Sequence, residues 1–252
     1  MTVSIWERGK GERHTARPFP HDFTCRELYE YKFYGRFMLN PVRRGRMNAE
    51  KVPDIIVGRL PIYLRALQRM SEKGMRTTSS QELAKHVGIS SAQIRKDVSQ
   101  FGEFGKQGTG YSIPFLMDKL REILKVNRMW DVVVVGAGEL GHALSRYQGF
   151  SDRGFCIVML FDNDPSRIGK KVGEFVVEDS ANMVERIRSA NIKIAMLTVP
   201  AAAAQSTTDK LVQAGIKAIL NYAPVSLSVP GAVRVQYLDP AIGLQRMTYY
   251  LD

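Results

Sequence analysis

Asp131–Ala143 reads DVVVVGAGELGHA. Val132–Val135 is an unbroken run of β-branched residues, which suits a strand buried on both faces. Gly136, Gly138 and Gly141 follow at Gly-X-Gly-X-X-Gly spacing, and His142–Tyr147 continues as a helix. In a dinucleotide-binding turn the first glycine permits the tight bend. The second lets the diphosphate approach the backbone, and the third lets helix pack on strand. Ala137, Glu139 and Leu140 complete the turn, and the helix start offers free N–H groups and a positive dipole to phosphate. Asp162 lies 21 residues past Gly141, at the end of the next strand-like run. A carboxylate there meets adenosine ribose hydroxyls and repels a 2′-phosphate, favouring NAD(H) over NADP(H). A purely structural glycine turn, or a coenzyme A site, is the alternative.

Working outward to the C-terminus, strand-like runs recur at Cys156–Phe161, Glu174–Val177, Ile194–Val199, Ala218–Leu220 and Val233–Tyr237. Helical stretches at 180–190 and 202–214 lie between them, the alternation expected of an α/β fold with a parallel sheet. Thr198, Val199 and Pro200, and the segment from Asn221 to Val225, fall at strand ends facing the glycine turn. Ligands of open parallel sheets bind at that edge, so both segments are candidates for the nicotinamide half. Prolines that merely end strands explain them equally well. Ile242, Leu244, Met247 and Tyr250 predict an apolar terminal helix.

Working outward to the N-terminus, the charge changes. The chain has 252 residues and a net charge of +11. Residues 1–46 hold 10 Lys/Arg against 5 Asp/Glu, 47–128 hold 14 against 8, and 129–252 hold 12 of each. All the excess positive charge precedes the glycine turn, which implies a polyanionic partner for the first half. Residues 1–46 have no clean period and read as an extension, with a basic arm that strengthens nucleic-acid contact as the alternative. No segment has the apolar core of a signal peptide or the length of a membrane span. Cys25 and Cys156 are the only cysteines, which excludes a disulfide framework and a cysteine-rich zinc site and suits the cytoplasm.

Leu60, Tyr63, Leu64, Leu67 and Met70 predict a first helix, interrupted or kinked at Gly58 and Pro61 and ended by Gly74. In TTSSQELAKHVGISSAQIRKDVSQF two capping boxes, Ser79…Glu82 and Ser90…Gln93, flank the turn Val87-Gly88-Ile89. Two short helices across a glycine turn make a helix-turn-helix. The glycine-rich segment Phe101–Tyr111 then predicts a β-hairpin wing, and Pro114–Asn127 a further helix. On the second helix of the pair, Ser90, Ser91, Gln93, Arg95 and Lys96 are candidate DNA contacts, being the side chains that fix phosphates and read base edges. Arg59 joins them from the first helix, and Lys106, Gln107 and Tyr111 from the wing. The four histidines, 14, 21, 86 and 142, fall where none would serve as a base beside a bound nicotinamide. No catalytic residue and no metal ligand is predicted, and the nucleotide is expected to be sensed rather than consumed.

The order of parts resembles the Rex family of bacterial NADH-sensing repressors. The likeness rests on RLPIYLRAL, RTTSSQELA, QIRKDVSQFGEFGKQGTGY, VVVVGAGELGHAL, FDNDP, LTVPAAAAQ and ILNYAPVSL, and runs from about Val52 to the end. The extension at 1–46 lies outside the family pattern. Beyond it the resemblance implies a winged helix-turn-helix at 47–128, a Rossmann-like NAD(H) domain at 129–238 and an exchanged dimerisation helix at 239–252. It further implies a homodimer on an inverted-repeat operator, released by NADH and tolerant of NAD⁺. Arg65, Tyr147 and Asp239 match the family's switch, in which the aspartate pairs with the arginine in one state and the tyrosine in the other. Pro240, aromatic in some relatives, and Gln107, arginine in some, depart from the pattern. A small NAD-dependent oxidoreductase and a coenzyme-A-binding regulator are the rival readings.

Overall fold

A computed structural model of the chain describes residues 52–102 and 110–251. The basic extension, and Lys106 and Gln107 at the wing tip, lie outside the described residues. Helix α1 (Asp54–Glu72) starts after an extended Pro53 with Asp54 in its first turn and buries Leu60, Tyr63, Leu64, Leu67 and Met70. The helix does not begin late: it starts ahead of Gly58 and runs on through Pro61. Proline forfeits one helical hydrogen bond, and the apolar stripe on either side of it holds the helix continuous.

Strand β1 (Thr77–Thr78), α2 (Ser80–Val87), α3 (Ser91–Ser99), β2 (Tyr111–Ser112) and α4 (Ile113–Ile123) complete the first half. The serine half of each capping box forms: Ser79 Oγ accepts from Glu82 N at 3.1 Å, and Ser90 Oγ from Gln93 N at 3.2 Å, while Glu82 accepts from Thr78 Oγ1 and Gln93 donates to Asp97. Gly88 closes α2 in the left-handed region, at φ +69°. Most of the hairpin expected over 101–111 lies outside the described residues; at its end β2 pairs antiparallel with β1, ahead of α2. Gly110 permits this pairing, since a Cβ there would come within 2.5 Å of the Thr78 carbonyl oxygen.

The second half begins with β3 (Trp130–Val135), α5 (Glu139–Ser145), a 3-10 turn at Gln148–Arg153 and β4 (Phe155–Asp162). Strands β5 (Lys171–Val172) and β6 (Phe175–Asp179) follow, then α6 (Met183–Ser189), β7 (Ile194–Leu197) and α7 (Ala201–Ala214). Strands β8 (Ala218–Asn221) and β9 (Arg234–Tyr237) and helix α8 (Pro240–Thr248) close the chain. The sheet order is β5-β6-β4-β3-β7-β8-β9. All pairings are parallel except β5 with β6, a short edge hairpin the sequence reading did not anticipate.

Setting β5 aside, the order runs 3-2-1-4-5-6 from β6 to β9, which is doubly wound with its reversal between β3 and β7. Alternate residues of β3 serve opposite faces. Val133 and Val135 join the cluster under α6 and α7, and Val132 and Val134 the cluster with Ile157, Leu160 and Leu144. A separate cluster formed by α1, α2, α3 and α4 spans Ile56 to Leu120, and no buried member is shared with the sheet's clusters.

Candidate nucleotide and DNA sites

The turn after β3 sits at the sheet's reversal, where two crossovers leave in opposite directions and a crevice opens. Gly136 has φ +105°, and a Cβ on it would lie 2.7 Å from the Thr198 carbonyl oxygen. A Cβ on Gly141 would collide with the Gly136 carbonyl, so α5 approaches the turn closely only without one. Gly138 differs: its nearest neighbour would be Arg167 Nη1 at 3.9 Å. The first and third glycines are therefore demanded by the protein, while the second faces open space beside a guanidinium.

Asp162 ends β4 and is 5% exposed. Its Oδ2 accepts from Ala137 N at 2.6 Å and Arg167 Nη1 at 3.1 Å, and its Oδ1 accepts from Asp164 N at 2.8 Å. Burial would raise the carboxyl, but these donors outweigh it and hold Asp162 below the usual carboxylate range. The side chain thus holds the glycine turn in place. Asn163 and Asp164, which follow it, are the more open groups at the strand end. Sequence reasoning missed Arg167, which also reaches Asp164 at 3.4 Å; a cation five residues after the strand-end Asp162 was the available signal.

Thr198 and Asn221 behave similarly. Thr198 Oγ1 lies 3.0 and 2.8 Å from the carbonyl oxygens of Val135 and Gly136, to which it donates. Asn221 is 1% exposed; its amide donates to Ala223 O and Val225 O and its Oδ1 accepts from Ala223 N. Both side chains shape the loops along the carboxyl edge. Val199 is half-buried, and Pro200 and Glu139 are exposed there, as is Leu140. His86 and His142 are exposed, on α2 and α5.

In the first half, α3 turns Ile94, Asp97 and Val98 inward and leaves Arg95 and Lys96 exposed. Ser90 is exposed and Ser91 half-exposed at its start. Arg95 Nη1 donates to Ser80 Oγ at 2.9 Å. Arg59 and Gln93, both predicted to meet DNA, donate to Asp97, from Arg59 Nε at 2.6 Å, Arg59 Nη2 at 2.7 Å and Gln93 Nε2 at 2.7 Å. Tyr63 Oη adds a fourth bond at 2.7 Å. Asp97 is the functional candidate the sequence reading passed over. Tyr111 packs half-buried against the cluster of this half, and burial raises its phenol.

Among the described residues, no hydrogen bond or ion pair joins Arg65, Tyr147 and Asp239 within one chain. Arg65 is exposed. Tyr147 accepts from Arg153 Nη1 at 3.2 Å, and its ring lies over Gly149, where any Cβ would collide with it. Asp239 caps α8 by accepting from Ala241 N, and Pro240 takes the first helical position, where its missing N–H costs nothing. Helix α8 buries no residue, and Ile242, Leu244 and Met247 are each more than 60% exposed. Among the described residues no cluster of metal-ligand side chains occurs, and no helix is long and apolar enough to cross a membrane.

Residues 51–99 match the family described as "Putative DNA-binding protein N-terminus", and residues 127–225 the one described as "CoA binding domain". The chain is 48% identical to the redox-sensing transcriptional repressor Rex of Chloroflexus aggregans, over 81% of this chain and 96% of that one. It is 45% identical to the Rex of Carboxydothermus hydrogenoformans, over 81% and 98%. Among solved structures it is similar to the Rex-family repressor RSP with β-NAD⁺ and operator DNA, at TM-score 0.76 and 36% identity, covering 79% of this chain and 92% of RSP. RSP with β-NADH gives TM-score 0.73 at 33% identity, covering 80% and 94%.

Proposed function

The chain belongs to the Rex family of redox-sensing transcriptional repressors, and we propose that it divides that work between its two sets of cores. Residues 47–128 read DNA, 129–238 read the nucleotide and 239–252 dimerise, a division supported by hydrophobic clusters that share no buried residue. The chain is a repressor and not an enzyme, and its effectors are NADH and NAD⁺. When bound, the dinucleotide supplies an oxidation state to be sensed.

The residues present fit that group. Gly136, Ala137, Gly138, Glu139, Leu140 and Gly141 surround the diphosphate, with open space at Gly138 as the observation that carries this reading. Asp162 orients the turn through Ala137, so the ribose meets the strand end that Asp162 organises. The Thr198–Pro200 and Asn221–Val225 loops line the nicotinamide half. The description of the matched C-terminal family favours coenzyme A as a second reading, and the solved relatives with NAD⁺ and NADH favour the first.

On the other half, Ser90 and Ser91 hold phosphates while Arg95 and Lys96 read bases, with Lys106 and Gln107 at the wing and Tyr111 at its base. Two chains pair through the apolar face of α8 and bind an inverted repeat in the cytoplasm. In the dimer Asp239 alternates between Arg65 and Tyr147, exchanging an ion pair for a hydrogen bond as NADH replaces NAD⁺.

The test is operator binding titrated with NADH, NAD⁺, NADPH and coenzyme A. Release by micromolar NADH, with NAD⁺ tolerated, is the expected result. A complex left intact by NADH, or released only by coenzyme A, overturns the reading.

A further inference from the structure

Helix α3 carries a charge in its apolar stripe. Ile94, Asp97 and Val98 share the inward face, and Asp97 is 0% exposed. A buried carboxylate is costly unless fully bonded, and here it is. Arg59 Nη2 and Gln93 Nε2 donate to Oδ1, and Arg59 Nε and Tyr63 Oη to Oδ2. Burial alone would raise the carboxyl, yet the three partners outweigh it and hold it below its ordinary value, so the network stays charged at neutral pH.

Apolar side chains packed at this position would tolerate a range of helix rolls, because dispersion contacts are weakly directional. The three hydrogen bonds that reach Asp97 from α1 are not. With Asp97 turned toward α1, Arg95 and Lys96 are turned outward on either side of Ile94 and Asp97. The Arg95–Ser80 bond ties the same helix to α2. Arg59 has committed Nε and Nη2 to the carboxylate, and Gln93 one hydrogen of its amide.

We propose that Asp97 is a positioning residue for base reading, which sets the roll of α3 on α1 and withholds Arg59 and Gln93 from the duplex. The proposal rests on the reading of α3 as the DNA-contacting helix. Its consequence is that the network governs discrimination between sequences more than attraction to DNA in general.

The experiment uses the full chain and a duplex that the unaltered chain selects from a random pool, with a scrambled duplex of equal length. Tyr63→Phe and Arg59→Gln are titrated with both across a range of salt, and NADH binding and melting are read in the same samples. Tyr63 is fully buried and out of reach of any duplex. Its loss of one bond should lower the ratio of selected to scrambled affinity about fivefold, and Arg59→Gln about twentyfold, magnitudes like those of a misread base pair. NADH affinity and the salt slope should be unchanged. If Arg59→Gln weakens both duplexes equally and reduces the salt slope by about one, Arg59 is a phosphate contact and the proposal is overturned. An unchanged ratio with lower melting assigns the network to stability alone, which also overturns it. Should the unaltered chain select no duplex, the DNA reading itself fails, a result distinct from either.

Discussion

Two buried aspartates organise the two halves of the molecule by different means. Asp162 draws most of its bonds from backbone, at Ala137 and Asp164. Asp97 draws all four from side chains on α1 and α3. A backbone donor is present whatever the residue, so the cradle needs only the right spacing of glycines and one carboxylate. A side-chain network needs every partner at once. One half is consequently tolerant of sequence around a fixed backbone, and the other depends on named side chains.

The largest expected effects lie where backbone has no room. Gly141→Ala drives a methyl into the Gly136 carbonyl and should abolish NADH binding and lower melting together. Gly138→Ala meets nothing within contact distance but Arg167. It should weaken NADH at least tenfold, about 1.4 kcal/mol, while leaving melting and operator binding intact. Equal melting losses at the two positions, in thermal denaturation, would erase the distinction between the demanded glycines and the open one.

Next comes Arg95→Ala on the side-chain half. It should cost about 1–3 kcal/mol of operator binding, the range of one bidentate base contact, with NADH affinity unchanged by fluorescence titration. Losses of both would indicate misfolding and break the separation of the halves.

Asp162→Asn should cost about 1–2 kcal/mol, the value of weakened bonds to a buried charged group, read as melting and as NADH affinity. Its pH dependence has a definite sign. The folded carboxyl is held below its ordinary value, so its contribution is complete above the unfolded value of about 3.9 and is lost as pH falls through the lower folded one. The gap between Asp162→Asn and the unaltered chain should stay constant from pH 5 to 8 and shrink only below about 3.9. A gap that closes near neutrality would refute the assigned ionisation.

The smallest effect concerns Glu139, an exposed acid in the first turn of α5, beside the diphosphate of the proposed site. Glu139→Gln should raise NADH affinity about two- to threefold at low salt, an advantage that salt screening removes. No change at low salt would place the diphosphate elsewhere.

The same contrast explains what was legible in the sequence. Local patterns were: the capping serines 79 and 90, Gly88, and the glycine turn with its strand all formed as read. Long-range side-chain partnerships were not. Asp97 was passed over, because nothing local announces Arg59 or Tyr63 arriving from more than thirty residues away. Thr198 and Asn221 were read as ligand neighbours from their strand-end positions, and those positions held. Their side chains bond to the loops instead, a choice that depends on carbonyl directions no spacing reveals. The pairing of β1 with β2 was missed because two-residue strands carry no period, and Pro61 looked like a break because propensity carries no knowledge of packing.

Gly149 has a genetic consequence. The ring of Tyr147 rests on a residue with no side chain, and any other amino acid there evicts it. Codon 149 is therefore a site where one missense change should displace the Tyr147 ring. Selections for regulators with an altered response should return to it repeatedly.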